Sequence, residues 1–146
     1  PLVLDWPVPI ETQSHGLPMT KPGSRELIQI AEAYFARVDD GDVAGVMALL
    51  TPDCAVEVLT HPIVHEGAPA IEAMFKRRLA GVKRAWHGNF VHLTDAVQGR
   101  VTSRFDVLRE GAGGEERTMD NINLFQFDGP LISRISIWMS GENTLI

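Results

Sequence analysis

The chain has 146 residues, of which 45% are hydrophobic and 22% are charged, close to the averages of folded globular domains. This composition excludes a disordered chain, and the length suits one domain with a core of its own. The net charge of −6 argues against general binding to nucleic acid or to anionic membranes, because both require an excess of Lys and Arg.

Residues 1–23 are predicted to form an extension. Five of the nine prolines lie there, and they prevent a stable helix. Apolar residues stand between these prolines, so we expect the segment to pack against its own domain or against a partner subunit. Residues 24–146 are predicted to form a single domain, without an internal repeat.

Two helices are predicted at the start of this domain. Apolar residues recur at three- and four-residue spacing from Ser24 to Asp40, which predicts a helix with Ser24 as its N-cap and Gly41 at its end. Asp42 is predicted to cap a second helix that continues through Leu50.

A short strand over 54–60 and a third helix follow. Pro69 is suited to the first turn of that helix and Gly81 to its end, and the basic run Lys76-Arg77-Arg78 is interpreted as its solvated face. Four further strands are predicted over the ranges 87–94, 100–110, 117–127 and 131–140, with turn-forming sequences between them. The order predicts an α+β domain in which three N-terminal helices pack on a curved, mostly antiparallel sheet and enclose a pocket.

The single cysteine, Cys54, excludes an internal disulfide and a cysteine-rich zinc site. Its apolar neighbours predict a buried thiol. His61 and His65 flank a proline without a carboxylate at metal-binding spacing, so no metal site is predicted. No apolar run approaches the roughly 20 residues of a membrane-spanning helix, and no signal-peptide pattern begins the chain, so we expect a cytoplasmic location.

Two sets of short motifs lie on the predicted elements. They are Ala33-Tyr34-Phe35-Ala36, Gly41-Asp42, Ala48-Leu49-Leu50, Asp53 and Val56-Glu57 in the first half, and Thr102-Ser103-Arg104-Phe105-Asp106-Val107-Leu108-Arg109 in the second. Over about residues 25–142 the chain resembles the nuclear-transport-factor-2-like superfamily of cone-shaped α+β barrels, which includes SnoaL-like cyclases. The first set resembles ketosteroid isomerases, and the second resembles the R-x-D-V-L-R motif of limonene-epoxide hydrolases. The resemblance implies an apolar pocket for a small hydrophobic molecule, usually no cofactor, and often a homodimer.

Arg104 and Asp106 stand two apart on one predicted strand, so their side chains share a face with Leu108. A buried carboxylate needs a partner, and Arg104 can supply it. In the epoxide hydrolases the matching aspartate protonates the epoxide oxygen while the arginine orients it. The resemblance implies that this pair forms the polar centre of an apolar pocket, and the alternative is an ordinary ion pair on an exposed strand.

The other functional positions of both families are only partly kept. Ile137 matches the second aspartate of the epoxide hydrolases, which activates water, and Val56 and Val58 match their water-holding tyrosine and asparagine. An aliphatic side chain cannot accept a proton. Epoxide hydrolysis by the mechanism of that family therefore lacks its base. In the isomerase comparison Tyr34 matches the oxyanion-hole tyrosine, Asn123 falls at the position of the protonated aspartate, and Val58 replaces the general base.

A third pattern is similar to SnoaL-like dehydratases, which use a tyrosine, an acid shortly after it on the first helix, and a histidine at the start of the sheet. Tyr34, Asp39 and His87 offer these residue types in that order. His87 could serve as a base near neutral pH, and Asp106 could orient it. The structural alternatives are a core tyrosine, a helix-capping aspartate and an exposed histidine.

Further residues are expected to contact a substrate. Asn121 and Asn123 lie on one face of a predicted strand, where they line the pocket or pair with Arg104. The apolar walls of the pocket are expected to include Val58, Leu108 and Ile137.

Two functions are therefore predicted. The first is a cofactor-free enzyme that acts by acid/base chemistry on a small hydrophobic molecule, by epoxide ring opening or else by dehydration, isomerisation or cyclisation. The second is a non-catalytic module that binds a hydrophobic ligand or dimerises, because aliphatic residues replace the missing bases. The paired Arg104 and Asp106 favour the enzyme.

Overall fold

The computed structural model describes residues 20–146, so all but the end of the predicted extension, residues 1–23, lies outside the described residues. The elements are α1 (Ser24–Asp39), α2 (Val43–Ala48), β1 (Leu50–Val58), β2 (Ile63–Glu66), α3 (Ala68–Ala80), β3 (Val82–Asp95), β4 (Arg100–Gly111), β5 (Glu116–Asp128) and β6 (Leu131–Trp138). Within the described part of the chain, no helix is long and apolar enough to cross a membrane.

The six strands form one sheet in the order β2-β1-β6-β5-β4-β3. Every neighbouring pair is antiparallel except β1 and β6, which run parallel. The α+β class with three helices on a mostly antiparallel sheet is therefore confirmed. The expected placement of all three helices before the sheet is corrected, because α3 follows β1 and β2.

The helix ends show how local chemistry sets the boundaries. Asp42 caps α2 as predicted, because its carboxylate accepts a hydrogen bond from the Gly45 N–H at 2.8 Å. Ser24 is already helical, and the extended Gly23 is the N-cap of α1, so the predicted N-cap is corrected. The buried stripe of α1 carries Tyr34 and Phe35 onto the sheet.

Two strands differ from the prediction. β2 is absent from the predicted strands, and its four residues pair with β1 so that His65 lies opposite Val56. β1 begins at Leu50, earlier than predicted, and contains Pro52 where its register with β6 shifts, a position that tolerates proline. Cys54 on β1 is completely buried, as its sequence context predicts.

The strand β4 defines the two faces of the sheet. Val101, Phe105 and Val107 are buried against the helices, and this side is called the inner face. The alternate residues project to the outer face, where side chains stay partly exposed. A bulge in β3 places two residues, Asn89 and Phe90, opposite Phe105, and Asn89 has a φ of 54°. The bulge shifts the alternation, so that His87 and His92 both face inward although five positions separate them.

Candidate active site

A cavity of about 40 Å³ lies between the inner face and helices α1 and α3, which is room for about three water molecules. Its apolar walls are Phe35, Val38, Phe75, Phe105, Val107, Met119, Ile137, Met139 and Leu145. Its polar residues are Tyr34, Arg78, His87, Arg109, Asn121, Asn123 and Thr144. An apolar cavity with a few convergent polar groups is the usual form of a small-molecule site.

His87 is held by Asp39, the last residue of α1. The Asp39 carboxylate accepts a hydrogen bond from the His87 backbone N–H at 2.8 Å and contacts the ring Nδ1 at 2.5 Å. A neutral imidazole that donates from Nδ1 carries its lone pair on Nε2, the nitrogen suited to a general base. The ring packs against Phe35 with a centroid distance of 5.2 Å, and His87 lines the cavity.

Tyr34 places a phenol at the same cavity. Its ring packs edge-on against Phe35, Phe75 and Phe125. Burial raises the pKa of Tyr34, an effect that the charge of Arg78 partly opposes, so the phenol remains protonated. Among the described residues its hydroxyl has no hydrogen-bond partner, which leaves it free to donate to a ligand.

Two arginines complete the polar part of the cavity, and the sequence interpretation missed both. Arg78 is only 7% exposed, and burial lowers the pKa of its guanidinium. The expectation that Arg78 belongs to a solvated face is therefore wrong. The signal was its spacing, because Arg78 continues the buried stripe of α3 seven residues after Ile71. Arg109 extends the inner face of β4 beyond Val107.

The two asparagines lie where a ligand would contact them. Asn121 and Asn123 are buried on the inner face of β5, and both line the cavity. The Asn121 side-chain Oδ1 accepts a hydrogen bond from the Ser140 N–H at 3.1 Å, and the Asn123 Oδ1 is buried without a partner in the described residues. Ile137, opposite Asn123, also lines the cavity, whereas Val58 is a buried core residue that does not reach it.

The structure corrects the position of the Arg104–Asp106 pair. Both side chains project from the outer face, where they are 42% and 38% exposed, and Leu108 projects to the same side. Arg104 lies 3.2 Å from Asp106 and hydrogen-bonds Asp120 at 2.6 Å, and the bond to Asp120 raises the pKa of Arg104. A pair on this face cannot act on a molecule held in the inner cavity. The pair therefore does not form the polar centre of the inner cavity, and Asp106 and Leu108 instead line a separate depression beside Trp86.

A second histidine that contacts a carboxylate of α1 lies further along β3, and it differs from His87 because both of its ring nitrogens have partners. His92 contacts Glu32 of α1 at 3.0 Å through Nε2 and Ser103 at 2.9 Å through Nδ1. Both ring nitrogens are occupied, and Ser103 is completely buried, so this trio holds α1 to the sheet. No group of three or more His, Cys, Asp or Glu side chains in residues 20–146 is arranged to hold a metal ion.

The segment after β6 covers one end of the cavity. Thr144 and Leu145 line it, and the Leu145 carbonyl accepts a hydrogen bond from His65 Nε2 at 2.7 Å. Arg77 donates to the Ile146 carbonyl at 3.2 Å. A substrate larger than a few waters must therefore displace this segment or open the wall beside it.

Comparison with known proteins identifies the family to which this fold and cavity belong. The family model described as a SnoaL-like domain matches residues 31–135, which include most of α1, all of α2 and α3, most of the sheet and twelve of the sixteen residues that line the cavity. The chain belongs to the SnoaL-like family. No curated protein matches it at a significant level.

Several solved structures share the SnoaL-like fold. A candidate polyketide cyclase from Xanthomonas campestris pv. campestris is 18% identical with a TM-score of 0.71, over 78% of this chain and 90% of its own. PrhC from Penicillium brasilianum is 15% identical with a TM-score of 0.72, over 80% of this chain and 81% of its own. A protein with a ketosteroid isomerase-like fold from Catenulispora acidiphila, in complex with trimethylamine, is 14% identical with a TM-score of 0.67. The match covers 81% of this chain and 85% of that protein. These identities establish the fold alone.

Proposed function

We propose that this SnoaL-like protein is an acid/base enzyme that removes a proton from a carbon atom next to a carbonyl group of a small, largely apolar molecule. The observation that carries the proposal is the Asp39–His87 pair at the cavity, with Nδ1 held and Nε2 left as the base. It corresponds to the dehydratase, isomerase or cyclase alternative, and it replaces epoxide opening by Arg104 and Asp106.

The proposed step balances within the described residues. His87 Nε2 takes the proton, and the electron pair of the broken C–H bond forms the C=C bond of the enolate. The π pair of the carbonyl moves to its oxygen, which accepts a hydrogen bond from the Tyr34 hydroxyl. The Asp39 carboxylate stabilises the imidazolium that forms. Return of the proton to another atom gives isomerisation, loss of hydroxide gives dehydration, and attack on a second carbonyl gives cyclisation. The three reactions share this first step.

The first step can be tested without the natural substrate. Wild-type protein is incubated in D₂O with a panel of apolar ketones and 1,3-dicarbonyl compounds, and deuterium incorporation is followed by mass spectrometry. We expect exchange above the buffer rate, lowered about 100-fold or more in His87→Gln and retained in His92→Gln. His92 is the matched control, because it also joins β3 to a carboxylate of α1 but has no free ring nitrogen. Equal losses in the two variants would overturn the assignment of His87.

The alternative of a non-catalytic module is favoured by the aliphatic residues at the positions of the family bases, such as Val58 and Ile137. It predicts that a ketone of the same panel raises the melting temperature and is recovered without deuterium. Deuterium incorporation that depends on His87 would exclude this alternative.

We also propose that two copies of the chain associate through the outer face. Large apolar side chains are exposed there, including Trp86 at 46%, Leu93 at 71% and Ile122 at 40%. Such a face is expected to be covered. Ile122→Lys should convert a dimer to a monomer in light scattering, whereas Val97→Lys, which changes an exposed residue in the β3–β4 turn, should not. A wild-type monomer at micromolar concentration would contradict the proposal.

A further inference from the structure

Arg78 is a buried cation that has no ion-pair partner among residues 20–146. Its side chain projects from α3 into the cavity, and the residue is only 7% exposed. Within residues 20–146 no carboxylate lies within salt-bridge distance of its guanidinium, and no hydrogen bond is made by it. The charges of Arg109 and Asp39 act on it with opposite sign, since Arg109 lowers and Asp39 raises the pKa of the guanidinium. A buried, unpaired charge is unfavourable, so a partner is expected when the site is in use.

Arg109 lines the same part of the cavity and is partly buried. Within residues 20–146 it makes one hydrogen bond, a long one of 3.4 Å from Nη2 to the Gly81 carbonyl at the end of α3, and its Nε is buried without a partner. Two guanidinium groups that share a cavity wall repel each other, which adds to the cost of leaving both unpaired. An anion between them would relieve the repulsion and satisfy the free N–H groups.

The two arginines also connect the cavity to the surface. An outer depression of about 490 Å³ is lined by Arg77, Arg78, Gly81, Arg109, Asn143, Thr144 and Ile146. Arg78, Arg109 and Thr144 line both the depression and the inner cavity. Neither set of lining residues includes an Asp or a Glu, although the whole chain carries a net charge of −6. This concentration of positive charge at one mouth of an acidic protein would attract an anion to the entrance.

We propose that Arg78 and Arg109 bind a carboxylate group of the substrate, so that the molecule that reaches His87 is an apolar keto acid and not a neutral ketone. The proposal deepens the proposed function and rests on it for the chemistry at His87. A planar carboxylate matches the paired N–H groups of a guanidinium. The aromatic and aliphatic residues of the cavity then contact the rest of the molecule, and a bound carboxylate fixes which carbon lies near the base.

The test compares one acid with its own ester. 4-Oxo-4-phenylbutanoate and its methyl ester carry the same ketone and the same phenyl ring and differ in the charged group. Binding is measured by calorimetry, and exchange of the protons next to the ketone is measured in D₂O. We expect the acid to bind wild-type protein at least about tenfold more tightly than the ester, because one charge-assisted hydrogen bond changes a dissociation constant by about that factor.

Three variants assign the effect to the two arginines. Arg78→Met and Arg109→Met should each reduce the preference for the acid about tenfold, whereas Arg25→Met, which removes an exposed charge at the start of α1, should preserve it. Arg78→Met should also melt at the same temperature as wild type or higher, because it removes an unpaired buried charge. If Arg78→Met does not fold, the Arg109→Met result and the acid-to-ester ratio of wild type decide the question.

Equal binding of acid and ester by wild type, or equal loss in Arg109→Met and Arg25→Met, would overturn this inference. Tighter binding of inorganic phosphate than of the acid would overturn it as well, in favour of a phosphate site. The outcome is separable from that of the proposed function. A preference for the acid without proton exchange refutes only the chemistry at His87, and exchange without a preference for the acid refutes only the carboxylate site.

Discussion

Asp39 makes two contacts with His87, one to the backbone N–H at 2.8 Å and one to the ring Nδ1 at 2.5 Å, across a sequence separation of 48 residues. The pair therefore fixes the position of the end of α1 against β3 and the orientation of the imidazole at the same time. A substitution that keeps the shape of the Asp39 side chain tests the effect on the imidazole separately from the effect on the position of α1.

Asp39→Asn is expected to reduce proton exchange about 100-fold or more, because an amide does not favour the Nδ1-protonated tautomer or stabilise the imidazolium. The KM should change much less than kcat, since the side chain does not line the cavity. Exchange kinetics across a pH series measure both values. Glu32→Gln is the matched control at His92, and an equal loss of kcat there would indicate a purely structural role for both carboxylates.

Tyr34→Phe is expected to separate activity from stability. Tyr34 lines the cavity and no hydrogen bond holds its hydroxyl within residues 20–146, so its removal should change the free energy of unfolding by less than about 1 kcal/mol. Proton exchange should fall, because the enolate loses its hydrogen-bond donor. Tyr34→Leu, which also removes the ring contacts with Phe35, Phe75 and Phe125, should lower the melting temperature. A marked loss of stability in Tyr34→Phe would show that the hydroxyl has a structural partner.

Cys54 is expected to make stability depend on pH in the alkaline range. Burial, assisted by the charge of Asp53, raises the pKa of the Cys54 thiol from 9.0 to about 11. Between these values the folded protein keeps a proton that the unfolded chain has lost. The resulting stabilisation is present below pH 9.0 and is lost as the pH rises through about 11.

The contribution of Cys54 is isolated by comparison with Cys54→Ala. The free-energy difference between wild type and this variant, measured by denaturant unfolding, should decrease as the pH rises from about 8 to about 10.5. In the folded protein the thiol should also resist alkylation at about pH 8, where it is protonated and buried. A difference that does not change with pH would contradict the raised pKa.

Asp106→Asn is expected to leave proton exchange unchanged, because its side chain lies on the outer face. Arg104 keeps its hydrogen bond to Asp120 in this variant, so the melting temperature should change little. Exchange and thermal unfolding are measured together, with His87→Gln as the inactive reference. Loss of exchange in a folded Asp106→Asn protein would return this residue to the active site.

The predictions from sequence succeeded where the signal was local. The spacing of apolar residues located α1 and α3, the carboxylate of Asp42 capped α2, and the alternation along β4 placed Arg104 and Asp106 on one face. Arg78 also had a local signal, because it lies on the apolar stripe of α3, but a basic residue on such a stripe was interpreted as solvated. β2 was missed because four residues pair only when β1 is beside them.

What the sequence by itself determined was every element except β2, the α+β class and the resemblance to a family that the domain match then established. Which face of β4 meets the helices was decided by the tertiary structure, because apolar residues such as Phe105 and Leu108 occupy both faces and alternation alone does not choose between them. The contact of Asp39 with His87 was likewise decided by packing. Such a contact depends on where a helix end docks against a distant strand, and no spacing along the chain encodes that position.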